Sequence, residues 1–361
     1  MGLDAEYWTL VSGWPDQRFA ALAGCAHPIL LAPMAGAAGV DLCVGAMHGG
    51  ALGSLPCGML SPAQVREQAA QVRRRAPGPL NLNFFCHSMP SAVDEQAWRS
   101  LLDPYRREFG AAAESGGAIR LPFDDATCEA VEEIRPQVVS FHFGLPAERL
   151  VTRVKSAGAF VLGTATTVAE ARWLEERGAD AVIAQGWEAG GHSGRFLGSD
   201  PAEALALFPF VPLVADSVSV PVIAAGGIGD ARGIAAALTL GASAAQLGTA
   251  YLHCPESLIS PTHRVALSGP TRFTNLLTGG LARGVAGRLM LELGAIREEA
   301  PPYPLAAAAL APIRTEAEKQ GEYGFAPMWA GQAGPLGRAI PAAQLTCALA
   351  AEALALLGGQ A

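Results

Sequence analysis

Short apolar runs ending in glycine, or in a small or polar residue, return eight times along the chain, separated by stretches of helical periodicity. The runs are Pro28–Met34, Gly50–Leu55, Leu80–Phe85, Val138–Phe143, Ala159–Thr164, Ala181–Gln185, Pro221–Ala225 and Ala244–Gly248. Apolar residues at both alternations mark strands buried on both faces, as in a parallel sheet covered by helices. Between them Pro62–Arg75, Ala147–Ala157, Val168–Arg177 and Asp230–Leu240 read as amphipathic helices. Strand, helix and strand recurring at roughly 20–30 residues is the rhythm of βαβ units. Eight such strands, with no Rossmann opening, predict a TIM (β/α)8 barrel in preference to an open sheet.

Two departures interrupt this rhythm. The interval between the third and fourth strands, Cys86–Gln137, is long, and its DPYRREFG and SGGAIRLPFDDAT pieces predict a helical insertion. After the eighth strand, residues 255–332 have helical windows but no convincing parallel strand. They read as a mostly helical cap on the substrate side. Residues 1–254 and 333–361 then form the barrel, closed by a last helix at Pro341–Leu357. Long insertions in barrel loops are commonly functional, and packing decoration is the alternative.

Composition narrows the class. Half of the 361 residues are hydrophobic and 16% are charged, as expected of a well-buried globular chain. The net charge is −8 and the only lysines are Lys155 and Lys319, which argues against nucleic acid or an anionic membrane as partner. An anionic ligand must therefore be drawn by a local arrangement of groups. The seven cysteines are scattered without CxxC spacing and read as reduced thiols, mostly in the core. No basic-then-apolar leader and no apolar run of membrane length is present, so a cytoplasmic enzyme is expected. The seven histidines show no HxH or HExxH spacing, so no metal site is expected.

The strongest local chemistry lies late in the chain. PVIAAGGIGD (Pro221–Asp230) is a strand running into two glycines and then a helix, and AAQLGTAYL (Ala244–Leu252) is a strand ending in Gly-Thr. Loops after the seventh and eighth strands of many barrels present backbone N–H groups and a helix N-terminus to a phosphate. Gly226, Gly227 and Gly248 permit close backbone approach, and the Thr249 hydroxyl can donate to a phosphate oxygen. The pair predicts a phosphate-bearing cofactor or substrate; turn glycines without a ligand are the alternative. There is no GxxxxGK[ST] and no early GxGxxG.

The segments APMAG (Ala32–Gly36), LNFF (Leu82–Phe85), SFHFG (Ser140–Gly144), AQGWEAGGHSG (Ala184–Gly194), IAAGGI (Ile223–Ile228), QLGT (Gln246–Thr249) and MWAGQ (Met328–Gln332) run in order through nearly the whole chain. Together they resemble the class I nitronate monooxygenases, formerly called 2-nitropropane dioxygenases. QGxEAGGH is the most specific of them, whereas APM and IAAGGI recur in other FMN barrels. The resemblance implies FMN across the barrel mouth. Ala32, Pro33 and Met34 would line the flavin ring through backbone contacts. Asn83 and Gln185 would hydrogen-bond its polar edge or ribityl chain, while Gly190, Gly227, Gln246, Leu247, Gly248 and Thr249 would hold the phosphate region. The chain departs from the family at TGGLARG (Thr278–Gly284), where the family carries a pattern like SGRPARG; Arg283 is kept, and the first arginine and the proline are replaced.

His142, in SFHFG, falls at a strand end, where catalytic residues of barrels project. An imidazole there, with an unperturbed pKa of about 6.5, can take a proton from a nitroalkane or hydrogen-bond a nitronate. The resemblance also assigns the catalytic base to this histidine; a satisfied core histidine is the bland alternative. His192 reads equally as a flavin or substrate contact and as a loop-ordering residue. Glu188 reads as fixing its loop through backbone N–H groups. Arg283 and Tyr303, from the cap, are candidates for binding an anionic end of the substrate.

The resemblance implies oxidative denitrification of an alkyl nitronate, such as propionate 3-nitronate, with O₂ to a carbonyl product and nitrite, without NAD(P)H. An NAD(P)H-dependent quinone or enoyl-thioester reductase on the same FMN barrel is the alternative, and a non-catalytic FMN-binding protein is the third reading. Fold alone does not separate them.

Overall fold

The structure, a computed structural model, describes residues 13–91, 93–112, 120–198 and 203–358. Its strands are β1 (Ile29–Leu31), β2 (Gly53–Pro56), β3 (Leu80–Phe85), β4 (Val138–His142), β5 (Phe160–Ala165), β6 (Ala181–Gln185), β7 (Gly191–His192), β8 (Val222–Ala225), β9 (Ala244–Leu247), β10 (Thr271–Thr274) and β11 (Ala282–Val285). The helices are α1 (Arg18–Ala23), α2 (Val40–His48), α3 (Pro62–Arg75), α4 (Gln96–Phe109), α5 (Asp125–Ile134), α6 (Glu148–Ser156) and α7 (Val168–Glu176). They continue as α8 (Leu207–Ala215), α9 (Ala231–Thr239), α10 (Thr249–Leu252), α11 (Pro261–Ala266), α12 (Arg288–Leu293), α13 (Ala306–Lys319) and α14 (Ala342–Leu356).

Eight parallel strands are ordered β1-β9-β8-β6-β5-β4-β3-β2. The ring closes between β1 and β2, where the Leu31 N–H donates to the Leu52 oxygen at 3.0 Å and the Leu52 N–H to the Ile29 oxygen at 2.9 Å. Each predicted strand matches an observed one to within a few residues. Helix α3 begins where the sequence placed it, because Ser61 and Gln64 form a capping box and Pro62 takes the first turn.

Alternation along the strands sorts the side chains. Leu30, Leu52, Val138, Leu162, Ile183 and Ile223 point inward and pack on Phe19 and Ala23 of α1, which plugs the lower end. Val139, Phe141, Leu82 and Phe84 point outward into the main core under the helices. With a period of two, His142 has the inward parity of Val138, Gln185 that of Ile183, and Asn83 that of Asn81. All three are at the upper, C-terminal ends of their strands, which places them in the barrel mouth. A buried polar layer of Ser54, Asn81 and Ser140 lies below them, with Asn81 Nδ2 donating to both hydroxyls at 3.0 Å.

A second hydrophobic core stands apart from the barrel's own. It joins Trp98, Leu102, Tyr105 and Phe109 of α4 to Leu310 and Ile313 of α13, and to Leu289 and Phe325. The insertion after β3 and the segment after β9 thus share one core. The latter segment also contains a feature the sequence did not suggest: β10 and β11 pair antiparallel, and β11 pairs with β7 so that Ala282 lies opposite His192 and Arg283 opposite Gly191. The seven cysteines are free thiols, five of them buried. Among the described residues, no helix is long and apolar enough to cross a membrane.

Candidate active site

His142 ends β4, opposite Phe85 of β3. Its Nε2 lies 3.1 Å from the backbone oxygen of His192. Burial holds its pKa down, at about 4, although the hydrogen bond to His192 works the other way. The ring is therefore neutral at ordinary pH. Phe143, the next residue, has φ of +68°, a left-handed conformation unusual for a bulky side chain and costing about 1–3 kcal/mol. That turn aims the Phe143 ring into the mouth, where its centroid is 4.6 Å from His142, 5.2 Å from Tyr303 and 6.0 Å from His192. Such strain is characteristic of functional sites.

Around this ring residues of the segment after β9 complete an aromatic enclosure. Tyr303 lies 4.8 Å from His87 and 5.1 Å from His192, and Trp329 lies 5.5 Å from His192. His192 Nε2 meets Thr278 Oγ1 at 2.8 Å. Burial, reinforced by the charge of Arg120 and by His142 and His87, pushes the His192 pKa well below its ordinary value. Three buried polar atoms of this enclosure, the Tyr303 hydroxyl, Arg120 Nη1 and His87 Nδ1, make no hydrogen bond of ordinary length, although Arg120 approaches the Tyr303 hydroxyl closely enough to act on it as a donor. The Arg120 guanidinium carbon is 5.9 Å from the Tyr303 ring centroid, and the Arg120 carbonyl meets His87 Nε2 at 3.1 Å. Burial raises the Tyr303 pKa and nearby Arg120 offsets part of that rise. Unpaired buried donors are costly in a folded protein, and a ligand is one way to satisfy them.

The structure thus brings His142, His192 and Tyr303 together, and leaves Arg283 out. Arg283 is buried, donating from Nε and Nη2 to the Trp187 oxygen at 3.2 and 3.0 Å, with its guanidinium 4.2 Å from the Phe273 centroid. The cation beside Tyr303 is Arg120, which sequence reasoning did not select. It follows no motif, and only the fold carries it to the mouth.

Gln185 uses one N–H and one lone pair of its amide on the neighbouring loop and keeps one of each. Its Nε2 donates to the His192 oxygen at 3.0 Å, and its Oε1 accepts from the Gly194 N–H at 2.7 Å. Glu170, also missed, is buried and anchors the continuation of that loop, accepting from Phe196 N–H at 2.6 Å and Leu197 N–H at 3.1 Å. Glu188 accepts from the Leu207 N–H at the start of α8, at 3.0 Å from each oxygen.

On the other side of the mouth, Gln185, Ala225 and Gln246 stand in one row of paired strands. Gly226 and Gly227 follow β8 with φ of +106° and +68°, both in the region open to glycine. Gly248 lies beside Ala32 and Met34, where a Cβ would make ordinary contact at 3.4 Å from Ala32 Cβ and 3.5 Å from Met34 Sδ. The Ala32 N–H donates to the Leu247 oxygen at 2.9 Å, while the Leu247 side chain belongs to the outer core. A Cβ on Gly190 would lie 2.4 Å from the Gly331 nitrogen, because MWAGQ crosses this loop. Thr249 Oγ1 accepts from the Gly331 N–H at 2.9 Å and keeps its own proton to give. Helix α9 offers less to a phosphate than its sequence suggested, since Asp230 caps its first turn. Two atoms suit a bound polar group: Gln246 Oε1, which is buried without a partner, and Asn83 Oδ1, left as acceptor because Nδ2 donates to Ser140 Oγ at 2.9 Å. Among the described residues no group of three or more His, Cys, Asp and Glu is placed to hold a metal ion.

Fold and site define a (β/α)8 barrel whose C-terminal mouth holds a glycine-lined cradle and a histidine-centred aromatic enclosure. Comparison with known proteins makes this specific: the family profile "Nitronate monooxygenase" matches residues 17–352, and the chain belongs to that family of oxidoreductases. The chain is 40% identical to the nitronate monooxygenase of Paraburkholderia phytofirmans over 342 residues, 92% of this chain and 93% of that one. It is 40% identical to that of Pseudomonas aeruginosa over 346 residues, 93% and 98% of the two chains. Among solved structures, a nitroalkane oxidase from Streptomyces ansochromogenes superposes with a TM-score of 0.87 at 35% identity, covering 94% of this chain and 99% of the other. FabK from Thermotoga maritima superposes with a TM-score of 0.74 at 27% identity, covering 94% and 97%.

Proposed function

We propose that the protein is an FMN-dependent nitronate monooxygenase, converting alkyl nitronates such as propionate 3-nitronate with O₂ to a carbonyl compound and nitrite. The observation that carries the reading is the polarity of the enclosure: a neutral imidazole shares an aromatic enclosure with buried donors of Arg120 and Tyr303 that make no hydrogen bond of ordinary length. A compact anion with a flat apolar face suits that arrangement, and the net charge of −8 makes such a local donor pair necessary.

The cradle fits FMN on the same grounds. Gly226, Gly227, Gly248 and Thr249 would take the phosphate. Gln246 Oε1 and Asn83 Oδ1 would meet its polar groups, and the Ala32–Met34 backbone would line the ring. Bound there, FMN supplies the electron acceptor. The chain's own groups do the rest. Arg120 and Tyr303 orient the nitronate oxygens, the aromatic rings exclude water, and His142 accepts the α-proton when the substrate arrives as the neutral nitroalkane.

The test is the visible spectrum together with O₂ uptake on propionate 3-nitronate, with and without NADH or NADPH. A yellow protein that consumes O₂ and releases nitrite without pyridine nucleotide is expected. A yellow protein inert to nitronates but bleached anaerobically by NAD(P)H would overturn the reading in favour of a reductase.

A further inference from the structure

The TGGLARG segment, Thr278–Gly284, is where the chain leaves the pattern it otherwise resembles, and the fold carries its first residues to the enclosure. Thr278 Oγ1 meets His192 Nε2 at 2.8 Å. At Gly279, with φ of +88°, a Cβ would lie 2.2 Å from the Pro301 oxygen and 2.6 Å from the Tyr303 nitrogen, so the turn rests on the backbone that delivers Tyr303. At Gly280 a Cβ would lie 3.2 Å from Tyr303 Cδ2 and 3.3 Å from His192 Cδ2, tighter than ordinary contact. A side chain at 280 would therefore start against both rings. The Gly280 backbone is outside the left-handed region, so it is the room, and not the conformation, that asks for glycine.

In the pattern SGRPARG, position 280 is the first arginine. Arg283, the second, is kept but donates to the Trp187 oxygen. The cation beside Tyr303 comes instead from residue 120. Two bonds tie its segment to the end of β3: the Phe123 N–H donates to the Phe85 oxygen at 2.8 Å, and His87 Nε2 donates to the Arg120 oxygen at 3.1 Å. The Phe85 and His87 rings lie 6.4 and 4.8 Å from that of Tyr303, so this tether runs along the enclosure.

We propose that residues 280 and 120 are two halves of one specificity device: glycine at 280 lets Tyr303 close on His192, and Arg120 supplies the positive charge for the substrate's anionic group that an arginine at 280 would otherwise bring. The anion-binding half rests on the nitronate reading; the packing at 280 does not. Because the halves lie on different segments, the charge can be moved from one to the other by a pair of substitutions.

The experiment is that relocation in the full-length protein with its cofactor, read as KM and kcat for propionate 3-nitronate by O₂ uptake. Arg120→Met should raise KM about 10–100-fold. Adding Gly280→Arg to it should recover at least ~5-fold of that loss, since a guanidinium returns to the Tyr303 side; Gly280→Lys serves if the first pair does not fold. Gly280→Ala alone should raise KM with kcat held within about twofold, and that rise should vanish in a Tyr303→Ala background, where the ring is gone. Double variants no better than Arg120→Met overturn the exchange of charge. A wild-type KM in Gly280→Ala, or an equal rise in the Tyr303→Ala background, overturns the packing half. A wild type that turns over no nitronate sinks the functional reading instead. The same variants are then compared by calorimetric titration with nitrite, and double variants that bind it no tighter than Arg120→Met again overturn the exchange.

Discussion

Lowering the pH from 7.5 to 5 should weaken this fold, and His142 should account for a measurable share. In the folded chain its pKa is about 4 because burial disfavours the charged ring, against 6.5 for the free group. The unfolded chain therefore binds the proton first. Stability due to this group is intact above pH 6.5 and drains away as pH falls towards 4. Two and a half units correspond to about 3.4 kcal/mol over the whole window, and to about 2 kcal/mol at pH 5. The ring keeps a partly open edge, so solvent reduces the observable share to about 1–2 kcal/mol. His27, His87, His192, His253 and His263 are also held below their ordinary value by burial, so the total loss is larger. The paired carboxylates of Asp16, Glu108 and Asp125 have lowered pKa values, so their contributions are lost only below this range. The assay is urea unfolding by tryptophan fluorescence at both pH values, on wild type and His142→Gln, whose amide can keep the bond to the His192 oxygen. The difference between pH 7.5 and 5 should shrink by about 1–2 kcal/mol in the variant. Equal differences in the two proteins, within about 0.5 kcal/mol, would refute a buried neutral His142.

Three further outcomes follow from the site. Arg120→Met removes the cationic donor beside Tyr303, so kcat/KM for nitronates should fall about 10–100-fold, the worth of a charge-assisted hydrogen bond, chiefly through KM; steady-state O₂ uptake checks this, and a change under twofold counts against the anion role. Gly190→Ala forces a Cβ to within 2.4 Å of the Gly331 nitrogen, a backbone atom that has no rotamer to yield. It should cost about 1–3 kcal/mol by urea midpoint, and a wild-type midpoint would show that MWAGQ does not lie over this loop. Glu188→Ala frees the Leu207 N–H at the head of α8 and should cost about 1–3 kcal/mol, with Glu188→Gln recovering most of it; equal stabilities for the two variants would deny that bond any weight.

What could be read in advance divides along a physical line. The barrel was legible because its strands are written locally: two-sided apolar runs such as Val138–His142, and caps such as Ser61 and Pro62 at the head of α3. Period-two parity even carries His142, Gln185 and Asn83 to the inner face of the mouth without coordinates. What stayed hidden depends on pairings between distant segments. The β7–β11 pair joins Gly191–His192 to Ala282–Arg283 across about ninety residues of chain, and no local pattern announces it. In a strand one residue of register decides the face, so that pairing turns Arg283 to the Trp187 oxygen although its sequence motif suggested a substrate contact. Arg120 is the converse case: it belongs to no motif, yet the fold brings its guanidinium beside Tyr303. Phe143 shows the same limit in the backbone, since its left-handed φ is imposed on a residue type that disfavours it. The end of the mouth that carries His142 comes from barrel strands and could be anticipated. The end that carries Arg120 and Tyr303 draws on the insertion after β3 and the segment after β9, which pack on each other, so only long-range contacts reveal it.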